Sequence, residues 1–149
     1  MKLEDEIKQK NFRNEYQKLA VNILLTGSWM SFRSYEMLKP FKLTTQQYNI
    51  LRILRGQYPN PVTVNLLIER MMDKMSNASR IVDRLVAKKL VERKMKAEDR
   101  RCVDVIINEK GLKLLKKIED SEIKFEGNFR TLNEMEAKKL NDLLDKLRG

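Results

Sequence analysis

The sequence contains no histidine and a single cysteine, Cys102. Without histidine, the commonest metal ligand and the commonest general base are both missing. One cysteine cannot close an internal disulfide, and a cysteine-rich zinc cluster is impossible. Glycine and proline are scarce, with 5 and 3 residues among 149. That composition suits a helix-rich globular chain of about one domain, not a disordered or collagenous one. No stretch approaches the roughly 18 consecutive apolar residues of a membrane span. The opening Met1-Lys2-Leu3-Glu4-Asp5-Glu6 is acidic and lacks the apolar segment of a signal peptide. Together these absences lead us to expect a cytoplasmic, reduced setting. With no Gly-rich phosphate loop and no pair of carboxylates that stands out, we expect no enzyme, no metal and no cofactor.

What is abundant is basic charge. Lys and Arg total 31 against 21 Asp and Glu, a formal net charge of +10. Residues 42–101 hold 14 basic and 6 acidic side chains, whereas the rest of the chain holds 17 and 15. A concentrated basic segment is the footprint of a polyanion binder. A solvated basic surface without a partner is the alternative that charge alone leaves open.

Apolar periodicity organises the chain. Leu3, Ile7, Phe12, Tyr16, Leu19, Ile23, Met30 and Met37 predict one long helix over 3–38. At 1.5 Å per residue it would span about 50 Å, more than a small domain needs, which suggests packing on a second chain. A break at Gly27-Ser28 is the competing expectation. Thr44 caps a helix to about Gln57 with Tyr48, Ile50, Leu51, Ile53 and Leu54 inward. After the Tyr58-Pro59-Asn60-Pro61 breaker, Thr63 caps a short helix carrying Leu66, Leu67, Ile68, Met71 and Met72. Ser76 is read as the cap of a helix to about Lys88, with Ala78, Ile81, Val82 and Leu85 inward. The period then changes. Strands are expected at 90–94 and 102–107, joined by a basic tip into a hairpin. Asn108 caps a helix bearing Leu112, Leu115, Ile118, Glu122, Phe125 and Phe129. A last helix runs from about Asn133 to Leu147 with Leu140, Leu143, Leu144 and Leu147.

Helix, helix, helix, hairpin, with two short helices in succession and a basic second one, suggests a winged helix-turn-helix. A major groove about 12 Å wide admits one helix, whose first residues reach base edges. A basic hairpin beside it can reach the adjacent minor groove. On this reading Asn77 and Ser79 donate and accept at bases, and Arg80 pairs with guanine or a phosphate. Ser76 acts as cap, as DNA contact, or both. Arg84 either reaches a phosphate or pairs with an acid such as Asp99. Thr44 and Thr63 could place helix N-termini at phosphates, though capping alone accounts for them.

The chain also resembles the MarR (multiple antibiotic resistance regulator) family of winged helix-turn-helix regulators. Leu43-Thr44-Thr45-Gln46-Gln47-Tyr48-Asn49-Ile50-Leu51 is similar to that family's second-helix signature. Ser76-Asn77-Ala78-Ser79-Arg80-Ile81-Val82-Asp83-Arg84-Leu85 resembles its recognition helix. Asp99-Arg100-Arg101 matches its wing motif Asp-x-Arg, and Asn108-Glu109-Lys110-Gly111 resembles the segment opening its fifth helix. The resemblance implies a mainly α (α+β) fold, with residues 1–149 forming one domain. It implies dimerisation helices at 3–38 and 108–149 and a DNA-binding lobe at 42–107. It further implies a homodimer on palindromic double-stranded DNA, usually a repressor, often released by phenolic or other aromatic ligands, by oxidants or by metals. An effector-independent architectural DNA binder or a constitutive adaptor is the alternative.

In the wing, the resemblance makes Arg101 the minor-groove arginine, oriented by Asp99, with Lys94, Lys96 and Arg100 beside it; a hairpin tip kept soluble by its charge is the alternative. By the same resemblance, Trp29, Met30 and Arg33 suit a pocket for an anionic aromatic ligand. An aromatic and methionine stripe is also ordinary core or dimer interface. Cys102 is read as a small strand residue, with a redox role as the alternative. Two departures from the family pattern stand out. Lys89 occupies a corner that usually carries glycine, so it must adopt positive φ or another turn. Asn108 replaces threonine as a cap. The missing histidine argues against a histidine-based metal sensor.

Overall fold

The computed structural model describes residues 2–95 and 103–149. They form two compact units, Met1–Glu36 and Met37–Gly149.

The first unit holds α1 (Leu3–Glu6) and most of α2 (Glu15–Leu38). The single long helix expected from periodicity is therefore interrupted, and not at Gly27-Ser28, which α2 runs straight through. The break lies earlier, where Lys8 takes φ 54° and Asn14 starts a new helix. The Asn14 side chain accepts from the Gln17 N–H at 2.9 Å, and Gln17 Oε1 accepts from the Arg13 N–H at 2.6 Å. A side chain that satisfies the first orphan donors makes starting afresh competitive with continuing. Lys18 pairs with Glu4 at 2.5 Å, tying α2 to α1.

In the second unit, a 3-10 turn at Lys39–Phe41 leads to α3 (Thr45–Gln57). Thr44 caps α3 as expected, in a full capping box. Its side chain accepts from the Gln47 N–H at 3.1 Å, while Gln47 Oε1 accepts from the Thr44 N–H at 3.2 Å. A two-residue strand β1 (Val62–Thr63), too short to leave a period, precedes α4 (Val64–Arg70). Then come α5 (Ala78–Ala87), β2 (Val91–Met95), β3 (Val103–Ile107), α6 (Glu109–Glu126) and α7 (Glu134–Arg148). The sheet order is β1-β3-β2, antiparallel throughout, with Val62 opposite Val105 and Val91 opposite Ile107.

One core joins these elements. Ile50, Leu51 and Leu54 of α3, Leu67 of α4, Val82 and Leu85 of α5, Val105 and Ile107 of β3, and Leu115 and Ile118 of α6 are all essentially inaccessible. The short α4 ends at Arg70, ahead of the Met71 and Met72 it was expected to carry. Only Leu67 and the following Met71 are buried, whereas Ile68 and Met72 are 45% and 83% exposed. A seven-residue helix turns a single narrow side inward, and it stops at Arg70 before Met72 can join it.

Two joints set the geometry of the lobe. At the end of α5, Lys89 adopts φ 56°. The Lys89 N–H donates to the Val86 carbonyl at 2.8 Å and the Leu90 N–H to the Leu85 carbonyl at 3.1 Å. This is a Schellman ending with lysine in the left-handed position, and buried Leu90 and Leu85 supply its apolar contact. At the start of α6, Asn108 accepts from the Gly111 N–H at 3.0 Å. A Cβ on Gly111 would meet the Leu90 carbonyl oxygen at 2.4 Å and Ile107 Cγ1 at 2.6 Å.

Both joints are testable by thermal or urea unfolding. Gly111→Ala forces backbone or a buried isoleucine to move and is expected to destabilise by about 1–3 kcal/mol. Lys89→Gly relieves left-handed strain and is expected to stabilise by up to about 1 kcal/mol. A neutral Gly111→Ala, or a destabilising Lys89→Gly, would contradict these accounts.

Candidate nucleic-acid interface

The period of α5 sorts its side chains. Ala78, Val82 and Leu85 are buried, so Ser79, Arg80 and Arg84 are exposed on the other side. The cap of this helix is Asn77, one residue later than expected. Its side chain accepts from the Arg80 N–H at 3.1 Å. Ser76 is otherwise engaged: its Oγ donates to Asp73 Oδ2 at 2.6 Å.

Asp73 organises the turn between α4 and α5. Its Oδ1 accepts from the Met75 N–H at 3.0 Å, and its Oδ2 also receives Gln46 Nε2 at 3.4 Å. The hydrogen bond from Ser76, then those from Gln46 and the Met75 N–H, hold the Asp73 carboxyl below the usual carboxylate range. Gln46 thereby links the first turn of α3 to the turn ahead of α5. Nearby, the Met72 N–H donates to Asn49 Oδ1 of α3 at 3.0 Å. Between the N-terminal ends of α3 and α5 lies a groove of about 250 Å³. Thr44, Gln46, Gln47, Ser76, Asn77, Arg80, Ile81 and Arg84 line it. Two helix N-termini and two guanidinium groups at one groove make it suited to an anion or a hydrogen-bonding edge.

Sequence reasoning missed Gln46 and Asp73. The signal for Asp73 was available: an aspartate whose side chain can bond the backbone two residues on marks an Asx turn. Nothing in the sequence singled out Gln46, because its partner is 27 residues away.

The hairpin is fastened to α5. Arg93 of β2 pairs with Asp83 of α5 at 2.7 Å and reaches the Ser79 carbonyl at 3.4 Å. The expected wing residues Lys96, Asp99, Arg100 and Arg101, together with Cys102, lie outside the described residues.

On the opposite side of α3, Arg52 pairs with Glu122 and Arg55 with Glu119 at 3.1 Å, so α3 and α6 are joined by two ion pairs. The Arg52 guanidinium sits 5.8 Å from the Tyr48 ring. Burial, and then the Glu122 carboxylate, push the Tyr48 phenol up to about 12. Its hydroxyl is buried and faces the Glu122 carboxylate without a well-formed hydrogen bond among the described residues.

Of the three residues expected at a ligand pocket, the structure brings only Trp29 to a groove. That groove, about 300 Å³, lies within the first unit and is lined by Leu3, Glu6, Asn22, Leu25, Thr26 and Trp29. Met30 is 39% exposed and does not line it. Arg33 is not a lining residue either; it lies over the Trp29 ring at 5.9 Å. Among the described residues there is no group of three or more side chains able to hold a metal ion. No described helix is long and apolar enough to cross a membrane.

Three helices followed by a β-hairpin, with β1 completing the sheet, define a winged helix-turn-helix protein. The MarR family model matches residues 43–103. A MarR transcription factor from Planctomyces limnophilus is 30% identical, with a TM-score of 0.69 over 93% of this chain and 98% of that one. The chain belongs to the MarR family of transcription regulators.

Two more distant structures share the fold. A mutant MarR from E. coli complexed with operator DNA is 24% identical, with a TM-score of 0.73 over 93% of this chain and 99% of that one. Bordetella bronchiseptica BpsR, whose DNA binding is regulated by 6-hydroxynicotinic acid, is 22% identical. Its TM-score is 0.72 over 87% of this chain and 99% of that one. No curated protein matches the chain.

The Tyr48 hydroxyl yields a prediction. Removing an unpartnered buried hydroxyl is neutral or favourable, so Tyr48→Phe should leave the thermal midpoint at neutral pH unchanged or raise it. Because the phenol is raised in the folded state, its ionisation costs no stability below the unfolded value of 10.0, and stability is lost as pH climbs from there towards 12. Melts at neutral pH and near pH 11 should therefore show a smaller alkaline loss in the variant. A loss above about 1 kcal/mol at neutral pH would mean that the hydroxyl has a partner.

Proposed function

We propose that this chain is a homodimeric, sequence-specific DNA-binding regulator that acts as a repressor. The observation that carries the reading is the exposed row on α5. Asn77, Arg80 and Arg84 line the groove between the α3 and α5 ends, and Ser79 is exposed nearer the hairpin, on a helix whose other side is sealed in the core. In this reading α5 enters the major groove of a palindromic operator, with Asn77, Ser79 and Arg80 at base edges and Arg84 at a phosphate. Ser76 stands at the same groove. The E. coli relative complexed with operator DNA supports this mode. Arg101, oriented by Asp99, reaches the adjacent minor groove, with Lys96 and Arg100 beside it in the wing; that assignment rests on the sequence motif.

Dimerisation is supported by apolar side chains left in solvent. On α2, Leu24 is 73% exposed and Phe32 57%; on α7, Leu143 is 54% and Leu147 56%. Helices that expose leucine and phenylalanine in this way are built to be covered. Residues 3–38 and 108–149 then serve as the dimer-forming ends, and 42–107 as the DNA-binding lobe. The effector reading rests on Trp29 and Arg33, an aromatic ring with a cation over it, and on Met30 next to Trp29 in the sequence. This grouping suits an anionic aromatic ligand. The BpsR relative, controlled by 6-hydroxynicotinic acid, supports the same class. Ligand binding would favour a dimer geometry in which the two recognition helices no longer match half-sites one helical turn apart.

Gel shifts on a selected operator and on a scrambled duplex test the proposal. Arg80→Ala is expected to weaken operator binding by about 1–3 kcal/mol while changing scrambled-duplex binding far less. Equal loss on both duplexes would remove Arg80 as a base reader. A wild-type preference near unity would favour an architectural role instead.

A further inference from the structure

Ser76 sits just ahead of the α5 cap, half-buried, on the wall of the groove between α3 and α5. A serine hydroxyl has one proton to donate and two lone pairs to accept with. Here the proton is committed, since Ser76 Oγ donates to Asp73 Oδ2 at 2.6 Å. Asp73 is itself held in place by the Met75 N–H on Oδ1 and by Gln46 Nε2 on Oδ2. As a carboxylate it only accepts, so it cannot exchange roles with the serine.

We propose that Asp73 is a specificity-positioning residue: it fixes the hydrogen-bond polarity of Ser76, so that Ser76 presents lone pairs to DNA. A hydroxyl locked as an acceptor recognises an exocyclic amine in the major groove, adenine N6 or cytosine N4. It does not recognise the acceptors of guanine or thymine or a phosphate oxygen. Asp73 does this without touching the base. The inference rests on the reading of α5 as the base-contacting helix and adds to it which atoms Ser76 reads.

Asp73→Asn isolates the effect. The Asn carbonyl oxygen keeps the bond from the Met75 N–H, which leaves the amide nitrogen facing Ser76 Oγ. That nitrogen donates one proton to Ser76 Oγ and the other to Gln46, whose amide turns over to accept with Oε1, so Ser76 becomes free to donate outward while the turn is retained. Wild type, Ser76→Ala, Asp73→Asn and Arg80→Ala would each be selected against a randomised duplex library, with circular dichroism melts as a folding control.

Ser76→Ala should relax one base position, on the strand that carries the amine. Asp73→Asn should reverse the preference there towards an acceptor-bearing base by roughly two- to tenfold, the scale of a single hydrogen bond. If Asp73→Asn keeps the wild-type preference and only tightens binding to every sequence, the proposal fails. If Ser76→Ala alters no position, the proposal also fails. In that event a position relaxed by Arg80→Ala would leave the base-reading role of α5 standing. A wild-type selection without any enriched sequence would overturn both.

A second measurement covers a poorly folded Asp73→Asn. The amine at the Ser76-dependent position is deleted from the DNA, using purine for adenine or 2-pyrimidinone for cytosine. Wild type should lose the same two- to tenfold, and Ser76→Ala nothing. A wild type indifferent to the deletion would overturn the proposal.

Discussion

Ala78, Val82 and Leu85 lock one side of α5 into the core, and that burial decides which way Ser79, Arg80 and Arg84 point. Burying a valine or leucine is worth roughly 1.5–3 kcal/mol. The Asn77 cap contributes about 1 kcal/mol. The packing term is the larger, so the rotation of α5 about its own axis is set from inside. The cap and the Schellman ending then fix where the helix starts and stops, and the polar row follows without any specification of its own.

The basic lobe uses its few acids structurally. Asp83 holds Arg93, so the hairpin and α5 are fastened at one point. Asp73 holds Ser76, Gln46 and the Met75 N–H, so α3 and the α4–α5 turn are fastened at another. Each carboxylate lowers the net positive charge of a surface suited to an anion. In exchange, each fixes a neighbouring donor in one orientation. A flexible cationic surface would attract DNA but could not favour one sequence over another.

Much of this was legible beforehand. The caps at Thr44, Thr63 and Asn108 follow from residue type and position. So does the change of period at the hairpin. Lys89 was expected to take positive φ or another turn, and it takes φ 56°. The misses have local causes. Ser76 and Asn77 are both good caps, and the choice between them went to Asn77 because Asp73 captures the serine. The helix break at Asn14 was hidden because the apolar period continues across it. In Asn14 and Gln17 the capping signal is carried by two amides rather than by a hydroxyl and a carboxylate. The short helix after Thr63 was expected to carry Met71 and Met72, but α4 stops at Arg70 and leaves Ile68 and Met72 exposed. Gln46 was out of reach because its contact is tertiary.

The paired bridges from α3 to α6 have a consequence for measurement. Arg52 with Glu122 and Arg55 with Glu119 are partly exposed, with side-chain exposures from 19% to 51%. Such pairs weaken as mobile ions screen them, with a Debye length near 10 Å at 0.1 M. DNA affinity of this chain will also fall with ionic strength through counterion release. The two effects act in the same direction on one lobe. A slope of affinity against salt therefore counts phosphate contacts only where melts at the same salt concentrations show that the α3–α6 joint has kept its stability.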